Sequence, residues 1–230
     1  MKYYNKNGME VNITKTSKID DTGCYGNIYG VLGDDNICLK ELKDVAANPL
    51  SVFDDSSKVI SEEIFSYFRD FNHSHFCKLY DLFYNKDGDI TAYTMKYYKK
   101  AIDNILAMPV DYLIDNFSVL YDAMEVLARD LVLVVDLHNR NMILTNDNIV
   151  LVDFDKYHKE KRMDFDSILE ENTCALYCAF TKMFNDALKK NGMYSAYNVL
   201  SVADLFSYGV DPLVLNRRFR GCKNIKDYFH

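Results

Sequence analysis

The turn Asn146-Asp147-Asn148, set between two short apolar runs, constrains this chain more than any other feature. Met142–Leu144 reads as one strand and Ile149–Val152 as its return, a β-hairpin inside the stretch VVDLHNRNMILTNDNIVLVDFD from Val134 to Asp155. Antiparallel pairing sets the two open ends side by side, so the spacing predicts Asn141 and Asp153 close together. Asp136 lies five residues before Asn141, on the loop that feeds the first strand. An amide oxygen and a carboxylate at the mouth of a hairpin form a hard-oxygen site. Such a site suits Mg²⁺, which takes a few protein oxygens and completes its shell with water and phosphate.

The flanking sequence supplies the elements around that hairpin. From Phe117, apolar residues at Leu120, Tyr121, Met124, Leu127, Ala128 and Leu131 trace one face of a helix, which runs into Val132–Val135 and so delivers Asp136. Earlier in the chain, Gly33-Asp34-Asp35-Asn36 marks a turn, and Ile37–Lys40 alternates as a strand with Cys38 and Lys40 on one face. Asp54–Ser57 reads as a helix entry, followed by Ile60, Ile64, Tyr67, Phe68 and Phe71 at helical spacing. Ile90–Tyr98 reads as the last strand of a small sheet running into a connector. Cys174–Phe184 is apolar almost all round and predicts a buried helix. Tyr194–His230 predicts two or three short helices with turns at Gly209 and Gly221. A first strand is expected around Val11–Thr14. His73 and His75 have no third ligand nearby and read as structural.

Asp136-Leu137, three further residues, Asn141, then Asp153-Phe154 resembles the catalytic and metal-binding loops of the protein-kinase-like superfamily. Asp-Leu-His at 136–138 is closest to its bacterial and small-molecule branches. The resemblance covers roughly residues 18 to 185 and rests on the order of the parts. It implies an α+β, two-lobed protein-kinase-like fold, with a small antiparallel-sheet N-lobe over 1–98 and a mainly helical, shortened C-lobe over 99–230. It also implies ATP and Mg²⁺ as cofactors and a hydroxyl acceptor, protein or small molecule.

Residue by residue, Gly23 and Gly26 match the second and third positions of a glycine-rich loop, with Ile28 where valine is usual. Backbone N–H groups there can approach phosphate without a Cβ in the way. Lys40 would clamp the α- and β-phosphates, steadied by Glu63, with Glu62 as the alternative. Met95 would guard the nucleotide pocket, and Lys96 and Tyr97 would form the hinge against which adenine packs. Asp136 would take the acceptor's proton, and Asn141 and Asp153 would hold the metal. His138 is read as structural or substrate-facing.

Several positions depart from the pattern. Asp21 occupies the first glycine position, Val134-Val135 stand where His-Arg is common, and Asp155 replaces the glycine after Asp-Phe. Asn172 stands where an aspartate is usual at the start of the buried helix. No Ala-Pro-Glu follows, and only about twenty residues separate Asp153 from Cys174. These features leave three readings open: a compact Ser/Thr protein kinase, a small-molecule kinase of the aminoglycoside or choline type, and a pseudokinase acting through a protein partner.

Composition bounds the rest. With 230 residues, 49 % of them hydrophobic, the chain can bury a sizeable core. A net charge of −7 argues against a general binder of nucleic acid or anionic membrane. The first residues, MKYYNKNGMEV, lack the apolar run of a signal peptide, and no apolar stretch is long enough to span a bilayer. Six scattered cysteines without CxxC spacing read as reduced, mostly buried thiols of a cytoplasmic protein.

Overall fold

A computed structural model describes residues 2–20, 26–42, 60–207 and 209–229. The chain divides into two compact units, Met1–Tyr98 with Asp153–Lys156, and Lys99–Val152 with Tyr157–His230.

The first unit is built on an antiparallel sheet. Its strands are β1 (Tyr3–Tyr4), β2 (Glu10–Val11), β3 (Lys15–Asp20), β4 (Gly26–Val31), β5 (Asp34–Leu42), β6 (Leu79–Tyr84) and β7 (Ile90–Lys96), in the order β2-β1-β6-β7-β5-β4-β3. Turn chemistry sets the β4–β5 hairpin, because Gly33 adopts φ 92°, which a side chain would resist. The chain enters the sheet earlier than the expected strand near Val11, through Tyr3, which is buried against Leu39, Phe83 and Ala92. Helix α1 (Glu62–Asp70) starts at Ser61, whose hydroxyl accepts the Ile64 N–H. Ile64, Phe65 and Phe68 form its buried stripe, and the helix packs on β6. The expected helix entry at Asp54–Ser57 lies outside the described residues.

The second unit is mainly helical. Helix α2 (Val110–Arg129) begins seven residues before Phe117 and buries Leu113, Phe117, Leu120, Met124 and Leu127 along one face. It leads through Leu131, at φ 57°, into β8 (Val132–Leu133). The predicted hairpin is β9 (Met142–Leu144) with β10 (Ile149–Leu151), in the register Met142↔Leu151 and Leu144↔Ile149. Strand β11 (His158–Lys159) pairs antiparallel with β8.

Helix α3 (Phe165–Lys190) is longer than the apolar run suggested, and it is capped by Asp164. Its inner face carries Ile168, Leu176, Phe180 and Phe184, but Cys174 and Cys178 are exposed. This corrects the expectation of a helix buried all round and of mostly buried thiols. Cysteine counts as apolar in a sequence pattern, yet one stripe of an α-helix can face water at little cost when its apolar side chains are small. Of the described cysteines, Cys38 and Cys77 are buried. Helices α4 (Ala196–Leu205) and α5 (Pro212–Arg218) and a 3-10 turn at Ile225–Phe229 complete the unit, with Gly209 and Gly221 at positive φ between them. Among the described residues, no helix is long and apolar enough to cross a membrane.

Candidate active site

In the first unit, Lys40 on β5 is buried and its ammonium is held between two carboxylates. Its Nζ lies 2.6 Å from Asp153 Oδ1 and 2.7 Å from Asp155 Oδ2. The Tyr93 hydroxyl on β7 donates to the other oxygen of Asp155 at 2.8 Å, and the Lys40 ammonium sits 5.6 Å from the Tyr93 ring centre. Cross-strand register explains the meeting, since Lys40 and Tyr93 are direct partners in the β5–β7 ladder. Asp155 is only 3 % exposed in its side chain, whereas Asp153 is 33 % exposed. Burial opposes the charge on Lys40, but the carboxylates of Asp155 and Asp153 outweigh it and hold the ammonium above its ordinary range. Burial pushes Asp155 above the usual carboxylate range, with Lys40 pulling the other way. The cluster therefore holds one cation against two acids, and the more exposed acid is Asp153.

Phe154 anchors this loop between its two aspartates. Its ring stacks on Phe68 of α1 with centroids 4.0 Å apart and planes at 18°, and it lies 6.1 Å from Phe76. Asp153 itself adopts φ 66°, a left-handed conformation uncommon outside glycine and better tolerated by aspartate than by most residues. Such strained backbone concentrates at functional loops.

Gly26 contributes space. It pairs with Leu42 across the β4–β5 ladder, and a Cβ built there would fall 2.9 Å from Lys40 Cε and 3.1 Å from Lys40 Cγ. The aliphatic stem of Lys40 passes over the bare backbone. Ile28, half-buried, is the direct ladder partner of Lys40. Gly23 lies outside the described residues. Met95 is buried in β7. The N–H groups of Lys96 and Tyr97 are already used, donating to the carbonyls of Lys78 at 2.8 Å and Asn36 at 2.6 Å. These two amides are therefore engaged within the first unit itself. The Lys96 carbonyl accepts the weak thiol donor of Cys77, at 3.6 Å.

In the second unit, two buried asparagines brace the hairpin and the segment that leads to Asp136. Asn172 on α3 is fully buried; its Oδ1 accepts the Val134 N–H at 2.7 Å and its Nδ2 donates to the Val132 carbonyl at 2.9 Å. It sits inside α3, not at its start, because the helix begins at Phe165. Asn116 on α2 accepts the Ile149 N–H at 2.5 Å and donates to its own helix at Tyr112, so it ties α2 to β10. Asp136 is exposed and adopts φ 62°. Its carbonyl accepts Asn141 Nδ2 at 3.1 Å, which leaves Asn141 Oδ1 as the donor atom for a hard cation. The Asn141 carbonyl accepts the Val152 N–H at 2.9 Å, extending the hairpin by one rung to the residue before Asp153. His138 caps the 3-10 turn Asn139–Asn141 by accepting the Arg140 N–H.

The structure thus brings Lys40 and Asp153 together but leaves out Glu63, which is exposed. The expected Lys40–Glu63 pair is replaced by Lys40–Asp155. Glu63 directly precedes the buried stripe Ile64, Phe65 and Phe68 of α1 and lies off it, exposed. Glu62 instead accepts the Tyr84 hydroxyl at 2.9 Å and pairs with Lys6 at 2.5 Å. Residues missed by sequence reasoning are Tyr93, Asn116 and the role of Asp155, which the sequence marked only as a departure. Among the described residues, no cluster of three or more His, Cys, Asp or Glu side chains could by itself hold a metal ion. In the first unit the part-exposed carboxylate of Asp153, and in the second the amide oxygen of Asn141, are each hard-oxygen donors of the kind Mg²⁺ takes.

No protein-family model matches the chain, and no curated protein matches it. Among solved structures, the chain is similar to the kinase PK-1 of Cydia pomonella granulovirus, with a TM-score of 0.51 and 14 % sequence identity. The match covers 75 % of this chain and 69 % of the viral one. At that identity the likeness is one of fold, and the chain has a protein-kinase-like α+β fold.

Proposed function

We propose that this protein is an ATP- and Mg²⁺-dependent phosphotransferase that moves the γ-phosphoryl group to a hydroxyl, with a protein Ser/Thr side chain as the favoured acceptor. The observation that supports it most is the buried Lys40 ammonium paired with Asp153 on a strained loop, within a kinase-like fold. A fully buried lysine with paired acids is costly to maintain without a charged ligand to bind.

Phosphoryl transfer asks a protein chiefly to position groups and neutralise charge. In this reading Lys40 binds the α- and β-phosphate oxygens. Asp136 orients the acceptor hydroxyl and takes its proton as the new P–O bond forms and the bond to the departing ADP oxygen breaks. Asn141 and Asp153 would hold Mg²⁺. When bound, that ion would supply charge neutralisation for the transferring phosphate. Gly26 keeps the path of Lys40 open. The same reading places the protein in the cytoplasm, where ATP and reduced thiols coexist.

Asp153→Ala tests it. The variant should lose Mg²⁺-dependent ATP turnover by about a hundredfold or more, as expected when a charge-stabilising group of the site is removed. Its circular dichroism should match the parent. Unchanged turnover would remove Asp153 from the metal site. Radiolabelled ATP separates the acceptors: labelled protein bands support a protein kinase, and labelled small molecules support the small-molecule branch.

A further inference from the structure

We propose that Asp155, held by Tyr93, is the positioning residue for Lys40, so that the phosphate-binding lysine is set by the metal-binding loop instead of by an acid on helix α1. This deepens the phosphotransferase reading and rests on it. Three observations carry it. Lys40 Nζ meets Asp155 Oδ2 at 2.7 Å, and both side chains are nearly solvent-free. The second oxygen of Asp155 is satisfied by the Tyr93 hydroxyl at 2.8 Å, which fixes the carboxylate in one orientation. Helix α1, in contrast, brings rings to this region: Phe65 meets Tyr93 edge-on at 6.1 Å, and Phe68 stacks on Phe154.

The physical consequence is a division of labour between two neighbouring acids. Asp155 is locked and buried, so it can hold Lys40 without competing for the cation site. Asp153 is one-third exposed and keeps an outward oxygen for the metal. A carboxylate at position 155 sits on the same short segment as Asp153, so the lysine and the metal ligand are aligned by local chain geometry. Rotation of α1 would alter the Phe68–Phe154 stack but would break no ion pair to Lys40.

The test compares binding of Mg-ATP and of adenosine, which carries no phosphate, to the full chain and its variants, at a temperature where circular dichroism shows each folded. Asp155→Asn should weaken Mg-ATP by about tenfold to a hundredfold, the range of a charge-assisted bond, and leave adenosine within about twofold. Tyr93→Phe, which keeps the ring and removes one bond, should shift Mg-ATP in the same direction by less, and it serves if Asp155→Asn does not fold. Equal losses for both ligands mean a merely structural role and overturn the proposal, as does unchanged Mg-ATP affinity in the folded variants. A loss in Glu63→Gln with none in Asp155→Asn returns the lysine to the helix and also overturns it. A parent protein that binds neither ligand overturns the phosphotransferase reading itself and takes this assignment with it.

Discussion

Replacing Asn172 by aspartate isolates what the fold asks of the loop that carries Asp136. The amide now accepts the Val134 N–H and donates to the Val132 carbonyl, at 2.7 and 2.9 Å, with no solvent exposure. An ionised aspartate keeps the first bond but turns a lone pair on the Val132 carbonyl and buries a charge. A protonated one restores both bonds. The variant should therefore hold its proton when folded, raising the folded pKa above the unfolded value of about 3.9. Stability relative to the parent is then close to wild type below about pH 4 and falls as pH rises through the unfolded pKa. The slope approaches about 1.4 kcal/mol per pH unit until the folded pKa is reached. Were the proton retained to pH 7, the loss would be about 4 kcal/mol, three units at that slope. Urea unfolding of parent and variant at matched pH values between about 4.5 and 7.5 measures the difference, and the parent's own titrations cancel. Asn172→Leu provides the contrast. It orphans one N–H and one carbonyl at every pH, so it should cost about 2–6 kcal/mol with no pH trend. A flat Asn172→Asp difference across that range would refute the two-bond role of this side chain.

Gly26→Ala should destabilise by about 1–3 kcal/mol through overpacking, since its φ is not left-handed and the new methyl meets the Lys40 stem at 2.9 Å. Denaturant unfolding reads the cost, and a neutral substitution would show that Lys40 can step aside freely. Thiol labelling of the native protein, mapped by mass, should modify Cys174 and Cys178 while Cys38 and Cys77 stay protected. Burial pushes the Cys38 thiol up to about 12, so raising the pH to 8.5 should not expose it; rapid native labelling at Cys38 would contradict the packing of β5 against β7.

The chain's local grammar was enough to place individual strands, turns and helices, and the resemblance of the Asp136–Phe154 motif implied the kinase-like α+β architecture that joins them. The hairpin of β9 and β10, the capped helices and the alternating strand around Lys40 are all short-range signals. Turn residues and apolar periods of two or 3.6 act within a few residues of one another, so they can be read directly. Element ends were less legible: α2 and α3 start earlier than their apolar patterns, α2 directly after Pro109 and α3 at the cap Asp164, both outside the periodic stretch. The partner of Lys40 belonged to tertiary structure alone. Glu62, Glu63, Asp153 and Asp155 were equivalent as letters, and Asp155 lies 115 residues away in sequence. Which acid met the lysine was decided by the exposed position of Glu63, by the Phe154–Phe68 stack that seats the loop, and by the Tyr93 hydroxyl waiting across the ladder. An ion pair in a solvent-poor site depends on orientation and desolvation at ångström scale, and neither is written in the spacing of residues along a chain.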